Sequence, residues 1–236
     1  MKQYIDNLRE RIKCEGIAVE PYITQSNGGV MSISSTVQTP VQTALSGPSA
    51  GVVGAIYVCN AAGYRDLITY DMGGTSTDVS LVLNGVPEYT TKRKVCGLPS
   101  GIPMIDVHAV GAGGGSIAHI DVGGLLKVGP ESAGAMPGPA CYDLGGLNPV
   151  VTDANLVLGR LNSGYILGGR MKLHKDKSVA AIEKNIADPM GISCEEAANG
   201  IVSVVNANMA RAIRVITVER GYNPSDFTLV AYGGAG

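Results

Sequence analysis

Two carboxylates, two glycines and three hydroxyls fall within eight positions, Asp71-Met-Gly-Gly-Thr-Ser-Thr-Asp78. The apolar run Leu67-Ile-Thr-Tyr70 precedes them and the alternating run Val79-Ser-Leu-Val-Leu83 comes after, which predicts a strand, a tight turn and a second strand. Gly73 and Gly74 have no Cβ and take positive φ readily, so backbone N–H groups there can converge on an anion. Thr75, Ser76 and Thr77 add hydroxyl donors. Asp71 closes the first strand and Asp78 opens the second, so a carboxylate stands on each side of the turn, where a hydrated divalent cation can bridge protein to phosphate. The implied chemistry is phosphate and metal binding. The competing reading is a glycine-rich hairpin with capping hydroxyls.

Further candidates lie C-terminal to this turn. Met104-Ile-Asp-Val-His-Ala-Val110 predicts a strand on which Asp106 and His108, two apart, share a face as a metal or proton-transfer pair; a structural role is the alternative. The strand runs into Gly111-Ala-Gly-Gly-Gly-Ser116. Glycines at 113, 114 and 115 cost backbone entropy, which implies close approach of the backbone to a ligand or to another strand. The pattern departs from G-x-G-x-x-G at Ser116 and no helix of Rossmann type comes after it, so a dinucleotide site of that kind is excluded. Thr152 reads as the N-cap of a helix through Leu161. Asp153 then lies in the first turn, where the helix dipole favours a carboxylate, and is either a cap or a ligand. Residues 227–232 predict a final strand that delivers Gly233-Gly-Ala-Gly236.

Other elements must position these groups. Tyr4, Ile5, Leu8 and Ile12 at helical spacing predict a helix over 2–14, stopped by Gly16. Tyr22-Ile-Thr24 reads as a short strand, and Gln25-Ser-Asn-Gly-Gly29 after it as a turn that either faces a ligand or only reverses the chain. Ser46 reads as an N-cap with Pro48 in the first turn of the next helix. Asn84-Gly85 signals a two-residue hairpin, predicting a third antiparallel strand over 86–95. Residues 123–149 read as one turn-dense loop of the length usual for a functional loop. Residues 175–187 predict a charged amphipathic helix. Ser193-Cys-Glu-Glu196 is a capping box that opens a long helix to about Arg220, with Ala197, Ile201, Val205 and Ala212 on its apolar stripe. Arg211, Arg214 and Arg220 leave that stripe, as a solvated face or as contacts to phosphate or a partner.

Composition limits the functional classes. With 45% hydrophobic and 16% charged residues over 236 positions, the chain is core-forming. Thirty-three glycines, no tryptophan and one phenylalanine imply an aliphatic core and many specialised loops. A net charge of −2 with scattered Lys and Arg gives no nucleic-acid footprint. No apolar run reads as the roughly 18 residues of a membrane span, and the first residues are a charged helix, so a cytoplasmic protein with no membrane partner is expected. Cysteines 14, 59, 96, 141 and 194 are odd in number, widely spaced and never C-x-x-C, which predicts reduced, mostly buried thiols.

The turn Asp71–Asp78 resembles the second phosphate motif of the hydantoinase/oxoprolinase family. Five stretches agree with it in order: Gln25–Gly29, Leu45–Gly51, Val110–Ser116, Val151–Gly159 and Glu219–Gly236. The resemblance covers residues 1–236 and implies an α/β actin-like ATPase (ribonuclease H-like) fold, mainly its second half, with a mixed sheet flanked by helices and a peripheral helical insert over 162–195. In the family a first actin-like half with its own phosphate turn precedes these motifs. The function implied is that of an ATP-dependent hydrolase that opens a hydantoin, 5-oxoproline or related lactam by carbonyl phosphorylation. The neighbouring activity is ketone carboxylation, and a sugar or acetate kinase of the same superfold fits fewer motifs. The alternative from another class is a non-catalytic nucleotide-binding half that needs a partner.

Carried to this sequence, the resemblance implies ATP with Mg²⁺ or another divalent metal, a cyclic amide substrate, and a second, dissimilar subunit or a homo-oligomer. Asp71, Asp78 and His108 are the catalytic candidates. Gly73, Gly74, Thr75, Gly113, Gly114 and Gly115 would bind the phosphates, Gly233 and Gly234 the adenosine side, and Asp71, Asp78 and Asp153 the metal. Family members commonly carry Gly-Arg after the Cys-Tyr pair, whereas Asp143-Leu144 stands after Cys141-Tyr142 here, so a basic contact is missing.

Overall fold

Helix α1 (Lys2–Cys14) obeys its apolar spacing and buries Ile5; the computed structural model describes residues 2–95 and 97–236, so Met1 and Cys96 lie outside the described residues. The chain divides into two compact units. The first comprises residues through Thr69, Ser80–Val107 and Ser225–Val230, and the second Tyr70–Val79, His108–Pro224 and Ala231–Gly236.

In the first unit, β1 (Ile23–Thr24) pairs antiparallel with β2 (Val30–Met31) around residues 25–29. Gln25 N donates to Gly29 O at 2.8 Å and Gly29 N to Asn27 Oδ1 at 2.9 Å, which holds the turn, while Ser26 N and Oγ both donate to Gln42 O at 2.7 Å. Helix α2 (Ile33–Gln38) starts from Ser32, and α3 (Ser46–Ala61) starts from Leu45, held at φ 59°. Ser46 is thus inside the helix and is not its cap; Ser49 secures the first turn by donating to Leu45 O at 2.9 Å and Ser26 O at 2.8 Å.

Strand β3 (Leu67–Met72) leaves this unit after Thr69, and β4 (Thr77–Leu83) returns to it at Ser80. Asn84 and Gly85 take φ 52° and 80°, the conformation of a two-residue hairpin turn. The uniform strand expected over 86–95 is broken into three. β5 (Val86–Pro87) pairs with β4, β6 (Tyr89–Thr90) with β9 (Met104–Ile105), and β7 (Arg93–Val95) with β8 (Leu98–Ser100). Pro87 has no N–H to continue the ladder. Val52, Cys59, Leu67, Val82, Ile105 and Val107 form this unit's core.

The strand expected over 104–110 is interrupted at Asp106 and resumes as β10 (Val107–Val110). In the second unit β11 (Ser116–Ile120) and β12 (Leu126–Ser132) form an antiparallel hairpin, so the turn-dense stretch begins with a strand and Gly123-Gly124 is its turn. Helices α4 (Val151–Val157), α5 (Lys175–Ile182), α6 (Asp188–Met190) and α7 (Cys194–Ile216) come next, with a π-helical segment Glu183–Ala187 after α5. Ile182, Ile186 and Ala187 pack in one core with Ile201, Val205 and Met209, so residues 175–187 are integral to this unit and not peripheral. By length and composition Cys194–Arg220 is apolar enough to cross a membrane, contrary to expectation, and its place in this core accounts for that apolarity. β13 (Thr228–Tyr232) completes an α/β sheet of order β10-β4-β3-β13.

Ser193 caps α7 as the sequence indicates: its Oγ accepts from Glu196 N at 3.2 Å, and its N–H donates to the Glu196 carboxylate at 2.9 Å. Ser193→Ala is expected to lower unfolding free energy by about 1 kcal/mol in urea denaturation, with an unchanged m-value.

Candidate functional site

The second unit brings three glycine turns together. The hairpin turn 73–76 ends β3, residues 111–115 extend from β10, and residues 233–236 from β13. Gly114 N donates to Gly73 O at 3.0 Å, Gly115 N to Gly74 O at 2.6 Å, and Ala235 N to Met72 O at 2.9 Å. A Cβ on Gly113 would lie 2.7 Å from Gly74 C and from Thr75 N and C; one on Gly233, at φ 97°, would lie 2.5 Å from Met72 O. Only glycine permits these backbones to touch.

This contact corrects two expectations. Neither Gly73 nor Gly74 takes positive φ among the described residues. The amides of 113–115 do not face an anion either, because Gly113 N donates to Ser116 Oγ at 2.8 Å while its two neighbours bond the first turn. Gly73 N is likewise used, by Ser76 O at 2.9 Å. What remains is a short run: the N–H groups of Gly74, Thr75 and Ser76 have no hydrogen-bond partner among the described residues. Gly74 and Thr75 are exposed, and a Cβ on Gly74 would meet nothing within 4 Å. The protein itself does not demand glycine there, whereas an anion resting on the turn would.

Gly74, Gly114, Gly115 and Gly234 line one end of a cavity of about 370 Å³. Thr152 and Asn155, from α4, add a hydroxyl and a carboxamide to its wall. Thr152 is not a cap, since the N-cap position is Val150; its N–H and its Oγ1 each donate to Gly114 O at 2.8 Å, tying α4 to the second glycine turn. The helix ends at Val157, short of the expected Leu161. The cavity's other end is apolar, with Tyr142, Met171 and Leu173 among its lining residues. Two larger hollows, of about 680 and 780 Å³, border the β11–β12 hairpin and touch none of residues 73–76, 113–115 and 233–236.

Asp71 is half-buried beside Gly233, and burial raises its carboxyl above the ordinary aspartate range. Asp78 is also half-buried at the start of β4. Two carboxylates flanking free amides suit a hydrated Mg²⁺, which keeps several waters and takes one or two carboxylates with phosphate oxygens. Asp153 does not join them. It is fully buried, and its carboxylate accepts from Ala140 N and Val150 N at 3.1 Å, Cys141 N at 2.9 Å and Ser178 Oγ at 2.7 Å. With its lone pairs taken, it is a structural clamp and not a metal ligand. Among the described residues no three His, Cys, Asp or Glu side chains are grouped to hold a metal directly.

Asp106 lies between β9 and β10 with its carboxylate 3.7 Å from Arg93, and His108 is half-buried in β10. Cys141, buried next to Asp153, has its thiol pushed up to about 12 by burial and then by that charge, so it is inert. Of the other described cysteines, Cys59 is buried, Cys194 half-buried and Cys14 exposed, all as free thiols. Asp143, standing where a Gly-Arg pair was expected to begin, takes φ 56° and faces Lys177 at 3.4 Å.

Sequence reasoning missed the wall of the cavity. Asn155 and Tyr142 lay inside motifs noted for other reasons, and Met171 and Leu173 sit in irregular chain that carries no periodic signal.

The hydantoinase/oxoprolinase family model matches residues 1–236. Caprolactamase subunit alpha from Pseudomonas jessenii is 43% identical over 235 residues, covering 100% of this chain and 34% of that protein. Acetophenone carboxylase gamma subunit from Aromatoleum aromaticum is 44% identical over 229 residues, covering 96% and 31%. A nucleotide-free structure of acetone carboxylase, solved for the mechanism of ATP-dependent acetone carboxylation, superposes with a TM-score of 0.89 at 32% identity, covering 99% of this chain and 33% of that one. The chain thus spans about a third of the length of these relatives.

Proposed function

The chain belongs to the hydantoinase/oxoprolinase family, and from that premise we propose that it forms the phosphate-binding part of an ATP-dependent enzyme that opens a cyclic amide, within the second half of an actin-like fold. The observation that carries this reading is the run of N–H groups at Gly74, Thr75 and Ser76 without a partner among the described residues, held in place by two further glycine turns, with Gly74 itself lining a cavity. Bound Mg²⁺·ATP would supply the phosphoryl group that converts an inert amide oxygen into a leaving group. The amides of Gly74 to Ser76 and the Thr75 hydroxyl orient that phosphoryl group and stabilise its charge. Asp71 and Asp78 would hold the cation through its waters. Gly234 and Ala235 line the cavity beside the same turns. The names of the relatives, an alpha subunit of a caprolactamase and a gamma subunit of a carboxylase, support a second, dissimilar subunit for this chain. The cytoplasmic setting is part of the same proposal.

The test uses the complete enzyme and a lactam labelled with ¹⁸O at the carbonyl. Carbonyl phosphorylation transfers one labelled oxygen into the inorganic phosphate released; unlabelled phosphate would sink the mechanism. A second reading, ATP-dependent ketone carboxylation, is favoured by the TM-score of 0.89 to acetone carboxylase. It predicts phosphate release that requires bicarbonate and a ketone in place of a lactam.

Asp71→Asn separates function from stability. Because burial raises the folded-state pKa of Asp71, its contribution is complete below the unfolded value near 3.8 and is lost as pH rises through the folded value. At neutral pH the asparagine variant is therefore expected to melt at or above the wild-type temperature while phosphate release falls about 100-fold. Unchanged Mg²⁺·ATP affinity and turnover would remove Asp71 from the site.

A further inference from the structure

Helix α7 packs against β12, and a hollow of about 780 Å³ opens between them. Val204, Ala207, Asn208 and Arg211 line it from α7, at the i, i+3, i+4 and i+7 spacing of one helix face. Asn208 ties that face to the strand by donating its Nδ2 to Val128 O at 3.3 Å. The hairpin contributes His119 and Lys127, which stand opposite each other across it, and Glu131. Lys127 faces Asp121 at 3.9 Å. Arg211 and Glu131 are exposed, and among the described residues neither side chain makes a hydrogen bond or an ion pair. The hollow therefore carries an uncommitted guanidinium on its helix wall and an uncommitted carboxylate on its strand wall. A simple anion would meet the first and be repelled by the second, and a simple cation the reverse. A molecule with a carboxylate at one end, an ammonium at the other and methylenes between them satisfies both charges and covers Val204 and Ala207.

The two walls reach the hairpin turn 73–76 by separate routes. On the strand side Gly111 and Pro130 touch, since a Cβ on Gly111 would lie 3.0 Å from the Pro130 Cβ, and Gly111 leads into the turn whose Gly114 and Gly115 amides bond Gly73 O and Gly74 O. On the helix side Met209, between Asn208 and Arg211 in the chain, accepts from the Tyr70 hydroxyl and from Thr77 Oγ1, the latter at 3.5 Å. We propose that the hollow is an effector site for a small amino acid with its charges at opposite ends, the carboxylate on Arg211 and the ammonium on Glu131, and that its occupancy alters nucleotide affinity at the hairpin turn. The binding stands apart from the proposed function, whereas the coupling rests on the reading of that turn as a nucleotide site.

The experiment titrates the complete enzyme with 5-aminovalerate, valerate and pentylamine, in the wild type, Arg211→Gln and Glu131→Gln. It then titrates a non-hydrolysable ATP analogue with and without saturating 5-aminovalerate. The wild type is expected to bind 5-aminovalerate at least about tenfold more tightly than either singly charged analogue, and each variant to weaken it by about tenfold. The amino acid is expected to shift the affinity of the ATP analogue by about fivefold or more, with the reciprocal shift of the same factor. No binding of 5-aminovalerate, equal binding of valerate, or an affinity unchanged in both variants overturns the site. Binding that leaves the affinity of the ATP analogue unmoved overturns the coupling. An enzyme that binds 5-aminovalerate through Arg211 and Glu131 but binds no ATP analogue overturns the nucleotide reading and leaves the amino-acid site standing. The comparison of the three ligands in the wild type decides by itself should a variant fail to fold.

Discussion

Asp153→Ala is expected to destabilise the protein by on the order of 4 kcal/mol, more than any other single change proposed for this chain. Three backbone N–H groups, of Ala140, Cys141 and Val150, and the Ser178 hydroxyl all donate to this one carboxylate, and its residue is fully buried. Removing it leaves buried donors unsatisfied at about 1–3 kcal/mol each, with partial relaxation keeping the total below their sum. Asparagine would recover little, since one carboxylate oxygen becomes an NH₂ that faces donors. Urea denaturation of Asp153→Ala and Asp153→Asn, with and without saturating Mg²⁺, checks the assignment. Wild-type-like stability combined with a loss of Mg²⁺ dependence would restore the metal role that the geometry removes.

The second large effect is a contrast between two neighbouring glycines. Gly113→Ala places a methyl 2.7 Å from three backbone atoms of the hairpin turn, so the turn itself must move. Overpacking of this kind costs about 1–3 kcal/mol. The displaced amides should also lower phosphate release from Mg²⁺·ATP by about 100-fold or more. Gly74→Ala puts its methyl into open space and is expected to change stability by less than about 0.5 kcal/mol. Its effect falls on nucleotide affinity, which should drop at least about tenfold because the methyl occupies the surface offered to the anion. Melting curves and equilibrium titration with a non-hydrolysable ATP analogue separate the two. Equal losses of stability in both variants would mean that Gly74 is a structural glycine and that the phosphate role belongs elsewhere.

Local features of the site were legible in the sequence. The strand–turn–strand around Asp71–Asp78, the Asn84-Gly85 hairpin and the Ser193–Glu196 capping box each depend on neighbours within a few residues, and each stands in the structure as the spacing indicates. The ordered set of motifs likewise pointed to the family whose model spans the chain. Direction was harder to read. Ser46 and Thr152 have the chemistry of caps, yet the chain enters those helices one and two residues earlier, through Leu45 and Val150, and Thr152 bonds the second glycine turn instead.

The sequence by itself determined which residue types are available: glycines where backbones or anions come close, carboxylates on both sides of a turn, small and hydroxylic residues at the start of α4. Only the tertiary structure decided how they are used. Gly113, Gly114 and Gly115 spend their amides on Ser116 and on the hairpin turn, Asp153 spends its oxygens on four donors, and the amides left for a ligand are those of Gly74 to Ser76. The physical reason is that a hydrogen-bonding group has a fixed number of partners. Whether a segment far away along the chain takes them is a matter of long-range packing that no local pattern records.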